Sequence, residues 1–164
     1  MRKLLMLACV LMIAAGPSAG VDVHQAFAKV APALKARVRI AVLLPTRLPA
    51  TFRGEKIFPI VDRATPTGYA IDIALSADCT GEHACSSGNV YGSATPFQNP
   101  QLVPAGGSRV NLATGVVATY RAASVTGPYP SNAYLSWKQN RAYYAIALNT
   151  GSLADILLAA RSMR

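Results

Sequence analysis

The chain has 164 residues, with 16 Lys and Arg against 7 Asp and Glu for a formal charge of +9. That length supports one domain around one core and argues against two, and so few acids leave little material for a paired-carboxylate site. The positive balance permits contact with anionic lipid heads, cell-wall polymers or nucleic acid, but the basic residues are scattered. Only Arg37 and Arg39 repeat at strand spacing, so the charge reads as general solubility with no dedicated nucleic-acid site.

Residues 1–20 read as an export signal. Arg2 and Lys3 precede an apolar run from Leu4 to Ala15, and Gly16-Pro-Ser-Ala-Gly20 supplies the breaker and small residues of a cleavage site near Ala19 or Gly20. A membrane anchor is the rival reading, but the run falls short of the roughly 20 apolar residues a span needs. Cys9 has too few apolar residues before it to be a lipoprotein cysteine. No later segment reaches spanning length, so no transmembrane anchor is expected after cleavage, and the chain is expected to be periplasmic or secreted.

The rest divides into an N-terminal helical segment, 21–36, and a single β-rich domain, 37–164. Phe27, Val30 and Leu34 fall at helical steps. Pro32 interrupts them, which predicts one short, loosely docked helix before it. Arg37 to Leu44 alternates Val38, Ile40, Val42 and Leu44 on one face, the pattern of a strand, and Pro45 and Pro49 stop it. A strand across Glu55 to Val61 carries Pro59 and so belongs at an edge or a bulge. Tyr69, Ile71, Ile73 and Leu75 form the cleanest half-buried alternation, with Asn89 to Thr95 as its return partner.

Pro96 to Gly107 is a loop. Arg109–Leu112 and Val116–Arg121 make a hairpin about Gly115, and Ala133–Lys138 and Ala142–Leu148 make a second about Gln139-Asn-Arg141. A closing helix has Ser152 as its cap with Asp155 three residues on, an apolar stripe of Leu153, Ile156, Leu157 and Ala160, and basic residues at its end. The sum is an α+β fold, mostly β: a curved antiparallel meander of seven or eight strands with a C-terminal helix on one face.

Chemistry-bearing residues are few. Cys79 and Cys85 flank a short turn, and in an exported protein such a pair reads as a disulfide. Closing so small a loop stabilises by roughly 2 kcal/mol on the chain-entropy model. A metal site using both thiolates with Glu82 and His83 lacks a second ligand cluster, and a redox-active pair lacks the two-residue spacing typical of such sites. There is no nucleophile-elbow motif and no phosphate-binding glycine fingerprint. We therefore expect no catalytic, metal or cofactor-binding residues and no cofactor. Tyr134 and Trp137 have opposite strand parity, as do Tyr143 and Tyr144. These four are the candidate ligand or partner surface, although core and cross-strand packing explains the same spacing.

Several short motifs resemble an uncharacterised extracytoplasmic bacterial domain of unknown function. They are Pro45-Thr-Arg-Leu-Pro49, Trp137 six residues before Tyr143, Ala160-Arg-Ser-Met163, and Asp78-Cys-Thr-Gly-Glu-His-Ala-Cys85 followed by Gly88. The resemblance spans roughly residues 38–163 and implies a curved antiparallel sheet with a helix against it. It is distantly like lipoprotein-carrier and envelope-stress sensor folds, which imply lipid or peptide binding by analogy alone. No catalytic residues come with it, and a further cysteine expected near Tyr129 is missing. Three functional readings follow. The first is a non-enzymatic envelope protein that binds lipid, acyl chain or peptide. The second is a structural or inhibitory module for an envelope protein. Behind both stands a serine-type hydrolase built on His83 with Ser86 or Ser87.

Overall fold

Alternating apolar residues, broken by glycine and proline turns, give strands that find their neighbours mostly through short connections. A computed structural model describes residues 20–82, 84–103, 106–124, 131–149 and 152–164. The order is β1 (Val21–Asp22), α1 (His24–Ala28), α2 (Ala31–Arg37), β2 (Arg47–Leu48), a 3-10 turn (Ala50–Phe52), β3 (Phe58–Thr65), β4 (Gly68–Ala74), β5 (Ser86–Ser93), β6 (Ser108–Ala113), β7 (Val116–Arg121), β8 (Ala133–Gln139), β9 (Ala142–Leu148) and α3 (Leu153–Arg161).

Seven strands form one open antiparallel sheet in the order β3-β4-β5-β9-β8-β7-β6, and β1 pairs with β2 apart from it. The sheet is thus two meanders, β3–β5 and β6–β9, joined where β5 meets β9. The connection from β5 runs from mid-sheet to the far edge before β6 begins. Both edge strands are blunted. In β3, Pro59 and the register shift between Val61 and Arg63 interrupt the ladder. On β6, Arg161 of α3 donates to the carbonyls of Leu112 (2.9 Å) and Asn111 (2.9 Å).

The inner face carries the main core. Ile71, Val90, Ile146 and Leu135 lie in register across β4, β5, β9 and β8, beside Ile73, Leu148 and Trp137. Ile156, Ala159 and Ala160 of α3 cover this face together with Phe27 and Leu34 from α1 and α2. Each fully buried aliphatic side chain contributes roughly 1.5–3 kcal/mol before entropy is counted. The cap of α3 forms as its sequence dictates: the Asp155 amide donates to Ser152 Oγ at 3.2 Å, and that hydroxyl donates to Asp155 Oδ2 at 2.6 Å. Leu153 and Leu157 are only half-buried, so the stripe docks along one edge.

Two local expectations are corrected. Pro32 does not end a helix but opens a second one, standing in the first turn of α2 where its missing N–H costs nothing. The segment is not loosely docked either, because Phe27 and Leu34 are fully buried. The stretch 38–44 is not a strand of any sheet. It runs across the inner face as irregular chain, and its alternation reflects burial of Val38 and Leu44 beneath it, not ladder pairing. Other groups satisfy its backbone. Tyr69 Oη donates to the Leu43 carbonyl (2.9 Å) and accepts from the Leu43 amide (3.0 Å), while Tyr144 Oη donates to the Ala41 carbonyl (3.0 Å). Gly92 makes this arrangement fit. A Cβ there would lie 2.3 Å from Tyr69 Cε1, so the glycine that weakens β5 as a strand is what admits the tyrosine ring.

Candidate functional site

The four aromatics divide between the two faces as their parity requires. Trp137 and Tyr144 point inward, 5% and 1% exposed, with their rings stacked at 5.8 Å between centroids. Tyr134 and Tyr143 point outward. Tyr134 is 8% exposed, lies beneath Leu102, and donates from Oη to Gln101 at 3.0 Å. Tyr143 is half-buried with Lys138 Nζ 5.4 Å from its ring centre, and Arg121 stands 4.7 Å over the Tyr134 ring. Burial raises the phenol pKa of Tyr69, Tyr134 and Tyr144, and that of Tyr91 to about 12. The hydroxyls of Tyr69, Tyr134 and Tyr144 therefore act as fixed neutral donors across the physiological range.

A groove that no sequence motif marks lies between α1–α2 and residues 42–47. Two short segments at opposite ends of the β-rich domain build its wall. Ser162, just past α3, accepts at Oγ from the amides of Thr46 (3.1 Å) and Arg47 (3.0 Å), and its carbonyl accepts from Thr46 Oγ1 at 3.0 Å. Leu44 and Arg164 exchange backbone hydrogen bonds in both directions at 3.0 and 3.1 Å. Residues 44–47 and 162–164 thus form a clasp with a structural task.

Against this clasp, α1 and α2 leave a groove of about 720 Å³. Phe27, Ala31, Val42, Leu44 and Pro45 give it an apolar floor, and Lys35, Arg47 and Arg164 stand exposed at its rim with His24 and Asp22. A second hollow of about 680 Å³ shares Thr46, Arg47 and Arg164 with it and continues onto the half-buried Leu157 and Leu158 of α3. Such volumes suit a small ligand. Chemically, the arrangement offers apolar contact along its length and cationic hydrogen-bond donors at its mouth. The missed signal was position. Lys35, Arg47 and Arg164 are isolated in sequence and meet only because α2 and the end of the chain pack on the same clasp.

Cys79 and Cys85 are bonded, with S–S 2.01 Å and Cα–Cα 5.7 Å. The bridge pins the connection between β4 and β5, and the Cys85 carbonyl accepts from Leu75 at 2.9 Å. Both sulfurs are thereby engaged with each other and not free as thiolate metal ligands. His83, the centre of the hydrolase reading, lies outside the described residues, as do residues 1–19 of the export-signal reading. Ser86 is described, and its hydroxyl donates to Asp72 Oδ1 at 2.5 Å, which makes it a donor to a buried carboxylate. Among the described residues no helix is long and apolar enough to cross a membrane. Comparison with protein-family models, with curated proteins and with solved structures finds no match.

Proposed function

We propose that this chain is an exported, non-enzymatic binding module whose ligand is an amphiphile with an acyl tail and an anionic head, seated in the groove between α1–α2 and residues 42–47. One observation carries the reading: an apolar floor of Phe27, Val42, Leu44 and Pro45 with Lys35, Arg47 and Arg164 at its rim against the single acid Asp22. Burying apolar tail surface supplies about 25 cal/mol per Å² of driving force, and cationic side chains at the mouth favour a carboxylate or phosphate head. The disulfide fits an oxidising compartment, and with the export-signal reading it favours the periplasm or the medium. The resemblance to an extracytoplasmic envelope domain points the same way.

The test is native mass spectrometry of the purified full chain, beside titration with a fluorescent long-chain fatty acid. The expected result is a bound lipid and a saturable signal that falls about tenfold in Lys35→Ala/Arg47→Ala with the fold intact, corresponding to loss of charge-assisted contacts. Absence of both lipid and saturable binding would remove the reading.

A second reading has its own support. The outward Tyr143 with Lys138, and Arg121 over Tyr134, form an aromatic and cationic patch of the kind that serves protein partners. A structural or inhibitory module would use this patch, and loss of a co-purifying envelope protein in Tyr143→Ala/Lys138→Ala would identify it.

A further inference from the structure

Asp72 is the one charged side chain fully buried among the described residues, at 1% exposure in the middle of β4. Its Oδ1 accepts from Ser86 Oγ (2.5 Å) and Asn89 Nδ2 (3.4 Å), both on β5. Its Oδ2 lies 3.8 Å from the sulfur of Cys79. While the bridge is closed, that sulfur has no proton to give. The fold therefore buries a carboxylate oxygen against a sulfur that could serve it only as a thiol. Burying a carboxylate is costly, and the neutral donors Ser86, Asn89 and the Ile73 amide offset only part of the cost. A purely structural β4–β5 fastening would be met by an amide at this position, which makes the carboxylate the feature to explain.

We propose that the Cys79–Cys85 bridge is an exchangeable disulfide, opened and closed by external dithiols, with Asp72 as the group that gives and takes the proton of Cys79. The two sulfurs differ in access: Cys79 is 7% exposed, whereas Cys85 is half-buried. In the reducing direction, a thiolate of the dithiol attacks Cys85 Sγ. The S–S bond breaks, and its electron pair departs on Cys79 Sγ, which takes the proton held by the Asp72 carboxyl. The second thiolate of the reductant then attacks the mixed disulfide and expels Cys85 as a thiolate, which solvent protonates. The protein gains two electrons and one proton, Asp72 is left as the carboxylate until solvent reprotonates it, and the reductant leaves as its disulfide. Oxidation reverses each step, with the Asp72 carboxylate accepting the Cys79 proton.

Burial holds the Asp72 carboxyl above the ordinary carboxylate range, against the opposing hydrogen bonds from Ser86 and the Ile73 amide, and this favours the proton-carrying form relative to an exposed carboxyl. The titratable groups around it are Asp62 on β3, itself raised by burial and by Asp72, and Tyr91 on β5, which feels Asp62, Asp72 and Arg63. None of these touches the sulfur in the contacts described, so Asp72 is the group expected to govern the pH response.

The experiment measures the rate at which dithiothreitol reduces the folded full chain between pH 4.5 and 8, by alkylation and mass spectrometry, with circular dichroism monitoring the fold. Wild type, Asp72→Asn and Ser86→Ala are compared at each pH, so the reductant's own ionisation cancels in the ratios. The expected wild-type to Asp72→Asn ratio is about 10 at the acidic end, typical of a modest general-acid contribution, and falls toward 1 as Asp72 ionises. Ser86→Ala keeps the carboxyl but removes a bond that favours its charged form, so the fall should move to higher pH. It also serves as the deciding variant if Asp72→Asn does not fold. A ratio within twofold of 1 at every pH, an unshifted profile in Ser86→Ala, or reduction of wild type only on unfolding would overturn the proposal.

Discussion

Two pairs of tyrosines on one sheet have opposite occupations. Tyr69 and Tyr144 point inward, and their hydroxyls fasten the irregular segment 38–44 to the sheet through Leu43 and Ala41. Tyr134 and Tyr143 point outward toward a loop and two cationic side chains. The inner pair replaces a missing β-ladder and belongs to stability, whereas in the outer pair Tyr134 is covered by Leu102 and Tyr143 alone keeps partial exposure. An aromatic hairpin is therefore not a ligand platform as a unit, because of its four rings only that of Tyr143 is both outward and part-exposed.

The largest break in this contrast should come from Trp137→Ala, which removes the ring stacked on Tyr144 and leaves a core cavity. A loss of about 3–5 kcal/mol is expected in chemical denaturation. Tyr69→Phe should follow at about 1–3 kcal/mol, since the amide and carbonyl of Leu43 both lose their partner. On the outer pair, Tyr143→Ala should stay within about 1 kcal/mol, as expected for a half-exposed position whose partner Lys138 is exposed. If Tyr143→Ala matched Tyr69→Phe, the division into structural and surface tyrosines would fail.

Two smaller effects sharpen the picture. The carboxyls of Asp72 and Asp62 are raised above their ordinary value of 3.8 by burial, so the folded state binds more protons than the unfolded state. Their contribution is fully present below that value and is lost as pH rises through the folded pKa. Thermal melts of Asp72→Asn against wild type should therefore show a wild-type disadvantage that opens as pH rises above the ordinary carboxylate value of 3.8. In the β8–β9 turn, Asn140 and Arg141 both have positive φ, at 49° and 66°. Arginine is strained there, so Arg141→Gly should gain about 0.5–1 kcal/mol.

What was legible in the sequence was local. Alternation and turn residues located all seven strands of the main sheet, and Ser152 with Asp155 located the capped helix. The two cysteines marked their own bridge, since only a short turn separates them. Alternation also misled at 38–44, because a two-residue period reports one-sided burial and does not distinguish a ladder from chain laid over a sheet and fastened by tyrosines. Parity correctly separated Trp137 from Tyr134, but the covering of Tyr134 by Leu102 depends on the loop between β5 and β6. The groove was illegible for the same reason. Its floor mixes helix and irregular chain, and its rim takes Lys35, Arg47 and Arg164 from three distant places.

The most direct test of a functional groove beside a structural inner face is amide hydrogen exchange of the full chain with and without a saturating long-chain fatty acid. The account predicts added protection in residues 24–35 and 42–47 and at the end of α3, with β8 and β9 unchanged. Protection concentrated on the Tyr134 and Tyr143 strands, with the groove segments unaffected, would contradict it.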